Sequence, residues 1–180
     1  MECLSERFVN EKGRLTSDGI WASKLRLDQP LLIAEAIRND GFKDVAPELL
    51  AGLIALFVWD RTQDVETRLG SFEGLDVLDN AYYSLMESLE NIIGLKEKRG
   101  FKYPQIMFWP CAALYLWTKG IPWDNLMESI PIGEGDMASL IVRTADHLRQ
   151  VSNLKDTHPD LSRAAKEAKD LMLREPVFLP

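Results

Sequence analysis

Eleven consecutive residues, Leu49 to Trp59 (LLAGLIALFVW), contain no charged or strongly polar side chain. Pro47-Glu48 stands immediately before them, and proline suits the first helical turn because its missing N–H has no partner there anyway. A helix that is apolar on every side for three turns has no face to give to water, so other elements must surround it. The run is too short for a membrane span, which needs roughly 18 apolar residues or more. Its cover therefore comes from the rest of the chain, with Leu49–Trp59 as a central helix. Asp60 and Arg61 are the first charges after it.

The rest of the sequence supplies helices to do the covering. Spacings of three and four dominate, and convincing period-2 alternation is absent. The reading is all-α: a helical bundle of about seven to nine helices in one domain, residues 1–180, with a lead-in segment over 1–28 and the bundle over 29–180. The lead-in reads as a short helix, a polar turn at Asn10–Gly13 and a second helix over Ile20–Leu27. Asp28-Gln29-Pro30 restarts the chain into a helix that reaches about Arg38 and stops at Asn39-Asp40-Gly41. Residues 62–74 are aperiodic and read as a loop. Leu75 to about Lys98 is the longest amphipathic pattern. Gln105–Lys119 is a helix in which Pro110 predicts a kink or a restart, ended by Gly120-Ile121-Pro122. Trp123–Ser129 is short. A last helix begins after Thr157-His158-Pro159-Asp160 and ends near Arg174, and the tail Glu175–Pro180 is expected to be extended.

Between these lies Glu134–Val151, EGDMASLIVRTADHLRQV. Asp136 is the expected N-cap of a long helix. Met137, Leu140, Ile141, Ala145, Leu148 and Val151 form its apolar stripe, and Ser139, Arg143, Asp146 and Gln150 line one opposite edge at spacings of four, three and four. A solvated face, with Arg143 paired to Asp146 at i+3, accounts for that edge as well as a binding surface does.

Charge and chemistry narrow the function. Lysine and arginine number 21 against 28 aspartates and glutamates, a net charge of −7. Phosphate neutralisation supplies most non-specific affinity for nucleic acid, so the chain alone should bind RNA poorly. Lys96, Lys98, Arg99 and Lys102 make one basic cluster; they first of all complement a helix C-terminus, and the functional alternative is a phosphate-contacting patch at the domain edge. No phosphate-binding GxxxxGK[ST] and no Gly-x-Ser-x-Gly occurs. His147, His158, Cys3 and Cys111 lack metal-ligand spacing, so no metal, cofactor or catalytic residue is assigned. Trp59, Trp109 and Trp117 sit in apolar stretches and read as core. Absence of a signal pattern and the sparse cysteines suggest a cytoplasmic protein with no membrane partner.

Several ordered segments carry a resemblance. Leu15-Thr16 with Gly19 and Ala22, Pro30–Glu35, Val45–Ala51 with Leu53–Arg61, Tyr115-Leu116-Trp117-Thr118-Lys119-Gly120, and the pattern Gly135-Asp136 followed by Arg143-Thr144-Ala145-Asp146 and Leu148-Arg149-Gln150 follow one another along most of the chain. Together they resemble the C-terminal helical DSHCT domain, with its ratchet helix, of exosome-associated DEAD/DEAH-type superfamily 2 RNA helicases, in the bacterial form. The resemblance implies that Glu134–Val151 lies along the exit path of single-stranded RNA. It implies that Asp60 and Arg143 contact bases, with Ser139, Asp146 and Gln150 on the same edge. It implies RecA-like motor domains as partners, and ATP and magnesium as cofactors of those motor domains rather than of this chain. The family's motor cores and arch are not in the sequence, which fits a C-terminal domain or a free-standing relative. Ser139 and Val142 stand where bacterial relatives have cations, and His147 stands for a leucine. The other reading open at this point is a stand-alone helical scaffold that docks a protein partner and has lost contact with RNA.

Overall fold

The computed structural model describes residues 7–61, 65–101 and 106–177. Eight α-helices run through them: α1 Ser17–Ala22, α2 Pro30–Arg38, α3 Pro47–Ala55, α4 Asp76–Lys98, α5 Phe108–Thr118, α6 Trp123–Ser129, α7 Glu134–Ser152 and α8 Pro159–Met172. A 3₁₀ turn covers Leu69–Ser71 and one antiparallel bridge joins Val9 to Leu15. α3 is the centre: α5, α8, α7 and α4 all pack on it. α2 packs against α4 and α1, and α8 lies along α7.

The apolar run is buried from Leu50 to Trp59, but the helix is shorter than its composition suggests. α3 ends at Ala55, and the N–H groups of Phe57 and Val58 donate to the carbonyls of Ile54 and Ala55 in turns. Phe57, Val58 and Trp59 are aromatic or β-branched and lose χ1 freedom against a preceding helical turn. The chain therefore leaves the helix while still inside the core. Asp60 follows on a loop rather than at a helix end.

α3 and α5 approach closely at Gly52. A Cβ there would lie 2.7 Å from the Cys111 carbonyl oxygen and 3.2 Å from Tyr115 Cβ. Pro110 causes no kink, because α5 begins at Phe108 and places the proline in the first turn, where no intrahelical N–H is needed. Burial pushes the Cys111 thiol well above its ordinary pKa, so it packs as an apolar group.

Other boundaries differ for local reasons. α1 starts earlier than expected, because the Thr16 hydroxyl accepts from the Gly19 N–H, and it ends at Ala22. At the end of α2 the left-handed residue is Asp40 (φ 60), not Gly41. The Gly41 N–H donates back to Ala36 and that of Asp40 to Ile37, a Schellman closure with an aspartate in the usual glycine position. α7 is entered from Gly133, so Asp136 lies in its first turn and is not the cap. The tail turns at Glu175–Val177 instead of extending, with the Val177 N–H donating to Arg174. The Arg174 guanidinium stacks 3.4 Å from the centre of the Trp117 ring and donates to the Trp117 and Ile121 carbonyls. Cys3, Thr62 and Lys102 lie outside the described residues.

Among the described residues one charged side chain, Glu35, is fully buried. Glu35 accepts from Arg7, Arg38 and Asn39, and Asn39 also donates to the Ser88 carbonyl of α4. Burial alone would push the Glu35 carboxyl up. The Arg38 hydrogen bond and charge, helped by Arg7 and Asn39, hold it below its usual value.

Candidate functional site

The edge predicted on α7 is present. Met137, Leu140, Ile141, Ala145, Leu148 and Val151 are buried, Ser139 and Asp146 are exposed, and Arg143 and Gln150 are half-buried. Asp146 is taken by Arg149, its i+3 neighbour, at 2.6 Å. Arg143 turns away from the helix instead. Its Nη1 reaches Asp60 Oδ2 at 3.4 Å and its Nη2 reaches Asp28 Oδ2 at 2.8 Å. Residues 28, 60 and 143 come from the link before α2, the exit of α3 and the middle of α7, and they meet at the surface.

Two anchors fix this corner. Arg61 does not pair with its neighbour Asp60: it forks onto Asp136 in the first turn of α7, at 2.7 and 2.5 Å, and lies over the Trp59 ring. Asp136 hydrogen-bonding and charge raise the Arg61 pKa above its ordinary value. Consecutive residues at the α3 exit thus grip α7 two turns apart, which sets where the Asp60 carboxylate stands.

The second anchor is His147. Its side chain is buried, and the Asp28 backbone N–H donates to Nε2 at 3.2 Å. Nε2 is then an acceptor, so the proton of the neutral ring sits on Nδ1 and donates to the Arg143 carbonyl 2.9 Å away. Burial pushes the His147 pKa below its usual value, against the upward pull of that hydrogen bond and of Asp28. Asp28 escaped the sequence reading, where it stood only as the residue restarting the chain before Pro30. The available signal was His147 itself. A polar ring on the buried side of a helix needs partners, although the sequence does not say which.

The basic cluster is placed elsewhere. Lys96 and Lys98 are in the last turn of α4, with Arg99 as its C-cap, and Gly100 (φ 72) closes the helix. α4 packs on α2 and α3, whereas α7 packs on α3 and α8, so these cations belong to a different set of neighbours from Arg143. An open cleft of about 770 Å³ lies between residues 65–79 and the start of α5, walled by Phe72, Phe108 and Trp109. It contains neither Arg143 nor either of its carboxylates.

A helical bundle with this long polar-edged helix defines a class, and comparison with known proteins identifies it. Residues 12–179 match the DSHCT (NUC185) domain, and the chain belongs to that family. It is also 30% identical, over 164 residues, to a chloroplastic DExH-box ATP-dependent RNA helicase of Arabidopsis thaliana. The match covers 88% of this chain and 14% of that relative, so the chain spans a small part of the relative's length.

Proposed function

We propose that this chain is the accessory C-terminal domain of an ATP-dependent RNA helicase and guides the unwound single strand beside RecA-like motor domains. One observation carries the reading: Asp60 and Arg143, 83 residues apart in sequence, stand 3.4 Å apart on one side of the bundle. A guanidinium offers a base a flat cationic face, and a carboxylate accepts from exocyclic amines, so the pair suits bases. Ser139, Asp146 and Gln150 extend the same edge. ATP and magnesium belong to the motor domains, and this chain contributes no hydrolysis. With a net charge of −7 its own affinity for single-stranded RNA is weak, no better than roughly tens of micromolar at physiological salt. The proposed setting is cytoplasmic, and Lys96, Lys98 and Arg99 are proposed as a secondary phosphate contact.

The decisive experiment places Arg143→Ala in the protein that joins this domain to its motor domains. Unwinding and RNA-stimulated ATP hydrolysis are expected to fall while ATP binding is unchanged. The competing scaffold reading has its own support, since Arg143 is already engaged by two carboxylates. Equal unwinding by wild type and variant would put that reading ahead.

A further inference from the structure

Arg143, Asp28 and His147 form a closed ring of contacts. The Arg143 guanidinium donates to the Asp28 carboxylate, the Asp28 N–H donates to His147, and the His147 ring donates to the Arg143 carbonyl. The guanidinium is thereby held from another segment, and His147, on the same helix as Arg143, ties the Asp28 backbone to that helix. Asp60 adds a second carboxylate on the other terminal nitrogen. We propose that Asp28, held in place by His147, is a positioning residue that makes Arg143 a stacking platform for RNA bases and withholds it from phosphates. This rests on the reading that Arg143 meets RNA and states how it does so.

All N–H bonds of a guanidinium lie in its plane, so carboxylates on Nη1 and Nη2 occupy the edge and leave the faces. The Arg143 side chain is 38% exposed, so part of it is open to solvent. One cation between two carboxylates carries a local charge of −1, counting Arg143, Asp28 and Asp60 with His147 neutral. A phosphate approaching that edge is repelled. A base is not, because stacking needs only a π-face and tolerates any sequence. Holding the guanidinium on both terminal nitrogens also removes rotamer freedom before the strand arrives.

Fluorescence anisotropy on the 180-residue chain tests this, with labelled oligoadenylate and an abasic oligomer of equal length, each at several salt concentrations. Wild type is expected to prefer oligoadenylate. Arg143→Ala should weaken oligoadenylate binding about tenfold, the scale of one stacked base, and leave the abasic oligomer and the salt slope unchanged. Arg143→Lys should behave like Arg143→Ala, because an ammonium has no face. Asp28→Ala should reduce the preference for oligoadenylate and steepen the salt slope by up to about 0.7, as the freed guanidinium takes a phosphate. Asp28→Asn, which keeps a side-chain acceptor that Asp28→Ala lacks, should fall between, and melting curves identify any variant that fails to fold. No change in any binding on Arg143→Ala overturns the RNA contact itself. Equal losses on both oligomers with a shallower slope, or rescue by lysine, leave the contact standing and overturn the stacking inference. Asp28→Ala binding tighter with an unchanged slope shows Asp28 to be a competitor and overturns its positioning role.

Discussion

The interior around α3 and the corner around Arg143 are built by opposite logics. In the interior, Leu50, Leu53, Ile54 and Leu114 are apolar, fully enclosed and alike in kind; what matters is that they fill space. In the corner, Asp28, Asp60, Arg143 and His147 come from three separate segments, and each works only with its particular partner. The interior should fail through any insult to volume or polarity. The corner should lose its proposed RNA contact while the fold persists.

The largest expected effect breaks the interior. Leu53→Asp, or Phe57→Asp in the turn beyond α3, puts an unpaired charge where exposure is 0% or 2%. The cost is several kcal/mol, comparable to the whole stability of a domain. Circular dichroism should show no cooperative melt; a soluble variant with an unchanged midpoint would show that this segment is peripheral. Gly52→Ala is a finer probe of the same region. Its added methyl meets the Cys111 backbone, which cannot rotate away, so overpacking should cost about 1–3 kcal/mol in a denaturant titration. A neutral Gly52→Ala would mean that α3 and α5 can separate without loss.

These two regions also explain what was legible in the sequence. The all-α class, the central segment, the stripe on α7 and the edge holding Arg143 follow from local periodicity, which a chain displays residue by residue. The early end of α3, the left-handed Asp40 and the harmless Pro110 depend on where a turn falls relative to its neighbours. Partner choice was the least legible. Local spacing pairs Arg143 with Asp146, but the structure gives Asp146 to Arg149 and Arg143 to Asp28 and Asp60. That exchange needs three segments placed in space, which no local rule supplies.

Acid sharpens the comparison. The His147 pKa is lowered by burial, despite the pull of Asp28, Asp146 and the Arg143 carbonyl, with the Arg143 charge acting in the same sense as burial. A histidine depressed on folding binds fewer protons folded than unfolded between its two pKa values. Its contribution is therefore complete above the ordinary value near 6.5 and is lost as pH falls below it toward the folded value. Burial lowers His158 in the same direction. The melting temperature should drop as pH falls through about 6.5, a window above that of Glu35, whose depressed carboxyl acts only below its ordinary 4.5. His147→Leu should flatten the upper window in a pH series of melts, and a full drop persisting there would assign it to His158.

The smallest effect on the fold is expected where the effect on function is greatest. Arg143 is partly exposed, and its carboxylates at 2.8 and 3.4 Å are 48% and 69% exposed, so water and salt screen both pairs. Arg143→Ala should change stability by no more than about 0.5–1 kcal/mol, a shift of a few degrees at most. The same change should weaken the proposed base contact by about 1–3 kcal/mol. Asp60→Ala should do less to RNA than Arg143→Ala, because a carboxylate repels phosphates and helps only through a specific donor, while Asp28 still holds the guanidinium at 2.8 Å. Melting curves and RNA titrations on the same two preparations check this together. If Arg143→Ala destabilised the domain by several kcal/mol, the corner would be part of the scaffold after all. Its loss of RNA contact could then be a consequence of unfolding, and the division between interior and corner would fail.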